Sequence, residues 1–216
     1  TGANGECVEV SIEVPGRVIR LQVWTAQVGH ITLLLLDSDL EKNSEEDRRI
    51  TYQLYGGDIT NRLLQEMVLG IGGIRAKRAM GLKPTVFHIN EGHAAFQVLE
   101  RCRELVKEGL DFYSALEAVA SNTVFTTHTP VPAGHDIFDH RLIEFYFSQY
   151  VSELKISMGE FLALGASPVN DHGFNMTALA LRGSRFHNGV SRIHGGVASE
   201  MERYIWPQIE PGENPI

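Results

Sequence analysis

The feature that most constrains the fold is a change of hydrophobic period that encloses two helices between two short β-like runs. Residues 84–89 (Pro84-Thr85-Val86-Phe87-His88-Ile89) read as a short buried strand. Ala95, Val98, Leu99, Cys102, Leu105 and Val106 then repeat at helical spacing, and Gly109 closes that helix. Phe112, Ala115, Leu116 and Val119 make a second helical stripe before the β-branched run 122–126. Parallel strands need a crossover, and the crossover is usually helical. Residues 85–126 are therefore expected to form one right-handed β-α-β unit.

Around this unit the pattern varies. Val8–Val14 and Val18–Val23 alternate apolar and polar side chains about a Pro15-Gly16 turn, and Ile31–Leu36 adds a strand-sized apolar run. This predicts two or three antiparallel strands over 1–40. The stretch 41–49 reads as a charged surface loop. From Asp58, the residues Leu63, Leu64, Met67, Val68, Ile71 and Ile74 mark one face of a helix. Further helices are expected over 142–154, 176–181 and 190–201, the last two separated by a break at Asn188-Gly189. The whole reads as a single α/β domain over 1–216. Its parts are a β meander (1–40), a β-α-β core with site loops (54–135) and a helical portion (136–216).

Composition narrows the function. The net charge of −8, from 19 basic and 27 acidic residues, argues against a nucleic-acid footprint. No apolar run is long enough for a membrane helix. Cys7 and Cys102 are too few for a disulfide framework. With no signal-like leader, the expected location is the cytoplasm. The chain starts on Thr1-Gly2-Ala3-Asn4-Gly5 without Met and stops at Ile216, so it reads as an excerpt of something longer.

Two polar segments follow the predicted parallel strands: His88-Ile89-Asn90-Glu91-Gly92-His93, and Thr126 to Asp136 with His128 and His135. In open α/β sheets, ligands bind beyond the carboxyl ends of the strands, so both segments should border one site. Helix capping by Asn90, with Glu91 at the positive helix end, is the plain alternative for the first. A proline-stiffened loop is the alternative for the second. A metal site built from His88, His93, His128, His135, Asp136 and His140 is disfavoured, because His88 and His93 lie five apart and share no helix face. Gly70-Ile71-Gly72-Gly73 lacks the third glycine of a dinucleotide fingerprint and lies in a helical pattern, so close helix packing explains it better. Asn188 to Gly196 sets Ser191, Arg192 and His194 near a helix start, with a simple helix break as the alternative.

Several blocks, in order, resemble the α-glucan phosphorylase family, and the shorter bacterial and archaeal branch more than the animal and plant enzymes. They are Leu54-Tyr55-Gly56-Gly57-Asp58, Arg62 with Gln65-Glu66, Leu69 to Gly73, Asn90 to His93, Phe125 to Gly134, Asn175 to Ala180 and Asn188 to Ser191. The resemblance implies a Rossmann-like lobe of a two-lobed (GT-B type) glycosyltransferase. It implies phosphorolysis of a terminal α-1,4-linked glucose of a glucan by orthophosphate, giving glucose 1-phosphate, with pyridoxal phosphate as a proton relay. His128 and Thr129 would be the catalytic positions. The His128 imidazole would bond the 6-hydroxyl of the sugar, and its carbonyl would face the developing oxocarbenium charge. Asn90, Glu91, His93 and Asp136 would form the sugar wall. None of the five lysines (Lys42, Lys77, Lys83, Lys107, Lys155) lies in a segment like the family's cofactor anchor. The cofactor and phosphate sites are therefore expected outside this chain, and the chain alone is expected to be inactive. The parent could form a homo-oligomer. Two other readings stay open: a nucleotide-sugar-dependent GT-B enzyme related to glycogen synthase, and a non-catalytic glucan-binding module. Trp24 and Trp206 lie far apart in sequence, which disfavours the module.

Overall fold

In the computed structural model, the described residues are 7–54, 56–129, 131, 135–168 and 172–216. The chain divides into two compact units, Thr1–Pro84 and Thr85–Ile216.

In the first unit, strands β1 (Val8–Val14), β2 (Arg17–Val28) and β3 (Ile31–Asp37) form an antiparallel meander in that order. Tight turns at Gly16 and Gly29, both left-handed, pair Val14 with Arg17 and Val28 with Ile31. The expected meander is thus present with three strands. Its inward residues, Ile12, Val14, Ile19, Leu21 and Val23, are buried. The helical stripe predicted from Leu63 to Ile74 is also buried throughout. It spans helix α2 (Ile59–Met67), a π-helical segment (Val68–Gly72) and helix α3 (Gly73–Ala79). A Cβ on Gly72 would come within 2.8 Å of Leu21 Cδ1 and 3.4 Å of Leu36 Cδ1. The glycine lets helix and sheet close together, so the packing reading of this segment holds.

The segment 41–49 is not simply a loop. A short helix, α1 (Glu45–Arg48), is capped by Ser44, and the buried Asp47 carboxylate takes Arg17 in a forked pair with contacts of 2.9, 3.0 and 3.1 Å. One turn of helix is too short to show a period, and the long-range ion pair that holds it has no local signal.

The second unit is built on a parallel sheet of β4 (Phe87–Asn90), β5 (Thr123–Thr127) and β8 (Phe186–Gly189), in the order β4-β5-β8. Helices α4 (Phe96–Lys107) and α5 (Phe112–Ala120) connect the first two strands, as the period change predicts. The buried Arg101 of α4 stacks 3.7 Å above the Phe87 ring and donates to Thr123 Oγ1 at 2.8 Å, so it ties the helix to the starts of both strands.

Residues 136–216 are less purely helical than expected. They contain β6 (Ile137–Asp139) paired antiparallel with β7 (Gly173–Asn175), and also β8, beside α6 (His140–Leu154), α7 (Met158–Leu164), α8 (Met176–Arg182) and α9 (Arg192–Met201). The supposed helix break at Asn188-Gly189 is the end of a strand. A chain of buried rings, Phe96–Phe147–Phe161–Phe174, packs at centroid distances of 4.8, 5.2 and 5.6 Å and joins α4, α6, α7 and β7. Offset rings in such contact add to plain burial. No helix among the described residues is long and apolar enough to cross a membrane.

Candidate functional site

Because β4 and β5 are adjacent and parallel, with Asn90 opposite Thr126, the segments that follow them leave the sheet on one edge. The β8 strand ends on the same edge, with Gly189 opposite Thr127. A polar ladder crosses all three strands just below it. His88 Nε2 lies 2.7 Å from Thr126 Oγ1, which donates to Asn188 Oδ1 at 3.0 Å. The hydroxyl has one hydrogen and gives it to Asn188, so His88 Nε2 must carry a hydrogen and donate.

Glu91 N donates to Thr126 O at 2.9 Å and prolongs the ladder by one bond. The backbone then turns sharply: Glu91 has φ 62° and ψ 178°, a region populated almost only by glycine. Its carboxylate Oε1 accepts the backbone N–H of His128. The turn is pressed against α8, since a Cβ on Gly92 would meet Met176 Cβ at 3.0 Å and Thr177 N at 3.2 Å. Asn90 caps no helix. It ends β4, and α4 begins six residues later without a side-chain cap. Capping is thus overturned as the account of Asn90, while Glu91 stands at the N-cap position of the short turn Gly92–Ala94 but gives its carboxylate to His128 instead.

The imidazole of His128 is exposed on this edge. Thr129 is held from below: its carbonyl accepts from His194 Nε2 at 3.2 Å. His194 sits in the first turn of α9, whose N-cap Ser191 accepts from the His194 N–H at 3.2 Å. Gly189 makes the approach possible, because a Cβ there would lie 2.7 Å from both Gly195 N and His194 Nδ1. His93 Nδ1 stands 2.9 Å from Asp136 Oδ2. A carboxylate can only accept, so Nδ1 carries the hydrogen. The Asp136 carbonyl in turn accepts Met176 N at 3.0 Å. Asn90, Glu91, His93, His128, Thr129 and Asp136 therefore all stand at or just beyond this edge or pair with residues that do. Pro130, Pro132, Ala133, Gly134 and Tyr55, which belong to the matching blocks, lie outside the described residues.

Sequence reasoning named His88, Thr126, Asn188 and His135 but not what they pair with, and it passed over Glu202 and Tyr204. The His135 side chain is 1% exposed, and its Nε2 stands 3.4 Å from Glu202 Oε1. Burial pushes the Glu202 carboxyl up to about 7, while burial pulls His135 below the usual imidazole range against the attraction of Glu91 and Asp136. The Tyr204 hydroxyl is raised by burial and by Glu202 beside it. Glu202 and Tyr204 carried no signal in the sequence, since Glu202 stands among polar residues at a helix end.

In the first unit, the described part of the Leu54–Asp58 block holds a helix cap. Asp58 caps α2 through Asn61 N at 2.9 Å, Asn61 Nδ2 donates to Gly56 O at 2.7 Å, and Gly57 adopts φ 83°. In the second unit the only lysines are Lys107, which ends α4 and pairs with Glu153 at 2.8 Å, and Lys155, which follows α6. Neither stands on the strand-end edge, so the residues there do not fit a pyridoxal phosphate anchor.

No family model matches the chain. Over 229 residues it is 44% identical to the glycogen phosphorylase of Mycobacterium tuberculosis (strain ATCC 25618 / H37Rv), covering all of this chain and 26% of that protein. The chain is a homologue of the glycogen and maltodextrin phosphorylases. It is also 39% identical over 216 residues to the maltodextrin phosphorylase of Thermococcus litoralis, again along its whole length and over 25% of that protein. A third relative is the glycogen phosphorylase of Aquifex aeolicus, at 33% identity over 99% of this chain and 30% of that protein. The chain thus spans between a quarter and a third of the length of these curated relatives. The resemblance seen in the motif blocks extends across the whole chain.

Proposed function

We propose that this chain supplies the sugar-facing wall of the first, Rossmann-like lobe of a GT-B type α-glucan phosphorylase. The full-length protein would cleave the terminal α-1,4-linked glucose of a glycogen or maltodextrin chain with orthophosphate and release glucose 1-phosphate. What carries the reading is the meeting of the 90–93 turn with His128 and Asp136 at one strand-end edge, in a chain whose relatives are named for this activity.

In this reading His128 contacts the glucose. Its imidazole bonds the 6-hydroxyl, and its carbonyl faces the positive charge that develops at the anomeric carbon. Glu91 serves by holding the His128 peptide, and the Thr129 carbonyl is held by His194. Such fixed groups lower a barrier because their orientation is set before the reaction begins. His93 and Asp136, paired with each other, line the wall next to Asn90. Pyridoxal phosphate would supply a phosphate group for proton transfer to and from orthophosphate, and residues outside this chain would hold it.

The test is made on the full-length protein, with maltodextrin and orthophosphate as substrates and glucose 1-phosphate as the readout. Formation of glucose 1-phosphate is expected. His128→Ala should lower kcat/KM by about 2–4 kcal/mol, the usual loss when one positioned stabilising group is removed. Wild-type kinetics in a folded His128→Ala protein would remove His128 from the site. Absence of phosphorolysis in the wild type would remove the reading itself.

A further inference from the structure

Beneath the edge lies a buried cluster that the proposed chemistry does not use. It joins the C-terminal end of α9 to the segment carrying Asp136. His135 and Glu202 have side chains only 1% exposed, and they face each other at 3.4 Å. The ring of His135 is oriented from its other side by Asn175. The Asn175 Oδ1 caps α8 by accepting from Thr177 N at 2.9 Å and Ala178 N at 3.2 Å. Its amide nitrogen therefore faces His135 Nδ1, at 3.5 Å. An amide nitrogen can only donate, so Nδ1 is the acceptor and the ring hydrogen sits on Nε2, the atom that stands 3.4 Å from Glu202 Oε1 without closing a hydrogen bond to it.

We infer that Glu202 is a positioning residue for the sugar wall, acting through His135 on the Asp136–His93 pair. The inference rests on the proposed sugar-wall reading for its functional meaning, but its geometry is independent of it. His135 immediately precedes Asp136, whose carboxylate meets His93 Nδ1 at 2.9 Å and whose carbonyl holds Met176 N at 3.0 Å. The Glu202 carboxylate stands beside one end of this short span, and the His93 contact fixes the other. Ionised Glu202 draws the Nε2–H of His135 toward it, and protonated Glu202 draws it less. The state of one buried carboxyl is thereby transmitted to His93 at the surface of the site. The charged and titratable groups facing the cluster are Glu91 and Asp136 around His135, Glu91 and Tyr204 around Glu202, and Arg182 near Tyr204. Burial pushes the Glu202 carboxyl up to about 7, where its ionisation falls within an accessible pH range.

The test is an NMR titration of this chain with isotope-labelled imidazoles, read at His93, His88 and His194 from about pH 5 to about pH 9. In the wild type the His93 signal should show, besides its own titration, a second inflection near pH 7, where Glu202 ionises. Glu202→Gln should remove that inflection and leave the His88 and His194 curves unchanged. His135→Gln should retain it, because the glutamine amide can donate to Glu202 in place of Nε2–H. A His93 curve in Glu202→Gln identical to the wild type would overturn the inference. So would equal changes at all three histidines, which would mean general loosening. If Glu202→Gln does not fold, Glu202→Asp withdraws the carboxyl by one methylene, and an unmoved His93 inflection then overturns the inference. No glucan enters the experiment, so its failure leaves the sugar-wall reading standing, and failure of the kinetic test with His128→Ala leaves this result standing.

Discussion

The carboxylate of Glu91 accepts the backbone N–H of His128, so the residue that ends one parallel strand's extension holds the residue that follows the next. The bond exists because Glu91 adopts φ 62°, which turns its side chain toward the neighbouring strand end.

This conformation costs about 1–3 kcal/mol for a residue with a Cβ. Glu91→Ala retains the strain and loses the bond, whereas Glu91→Gly loses the bond and relieves the strain. Glu91→Gly is therefore expected to be more stable than Glu91→Ala by roughly 1 kcal/mol, against the usual ranking of these residues. Urea denaturation of the two variants decides it, and an alanine variant at least as stable as the glycine one would contradict the strain assignment.

Glu202 makes stability depend on pH with a definite sign. Its folded pKa, about 7, lies above the ordinary 4.5. The contribution is therefore fully present below about 4.5 and lost as pH rises through about 7. At about 1.4 kcal/mol per unit, Glu202→Gln should gain on the order of 3 kcal/mol relative to the wild type between pH 4.5 and pH 8. His135, held low by burial, loses stability in the acid direction in both proteins. Parallel stability curves for the two proteins would show that Glu202 is not desolvated.

The neighbouring glycines Gly72 and Gly73 should respond oppositely to alanine. A Cβ on Gly72 would lie 2.8 Å from Leu21 Cδ1, so Gly72→Ala should destabilise by about 1–3 kcal/mol through overpacking. Gly73 has φ −61° and nothing within 4 Å of its would-be Cβ, so Gly73→Ala should stabilise by about 0.5–1 kcal/mol. Thermal melts of both variants check the pair, and shifts of the same sign would refute the packing account.

Incubated with pyridoxal phosphate and reduced with borohydride, this chain is expected to retain no stoichiometric pyridoxyl label, because no lysine stands at the strand-end edge. One label per chain, located on Lys107 or Lys155 by peptide mapping, would reverse that conclusion.

The amino-acid sequence alone determined the elements whose signal is local. The meander is legible because Pro15-Gly16 interrupts two alternating runs. The stripe from Leu63 to Ile74 is legible because one buried face repeats every 3.6 residues. The pairing of β4 with β5 follows from two helices between two short strands, and with it follows the shared edge of the 90–93 turn and the His128 loop. The tertiary structure decided the rest. Strand β8 has four residues and leaves Phe186 56% exposed, so only its ladder with β5 makes it a strand. Strands β6 and β7 have three residues each and exist through their mutual pairing. Asp47 and Glu202 both read as solvated charges, yet both are buried, one beneath Arg17 and the other against His135. A residue's period is written in its neighbours along the chain, but its desolvation and its partner depend on segments 30 to 67 residues away that only the fold brings beside it.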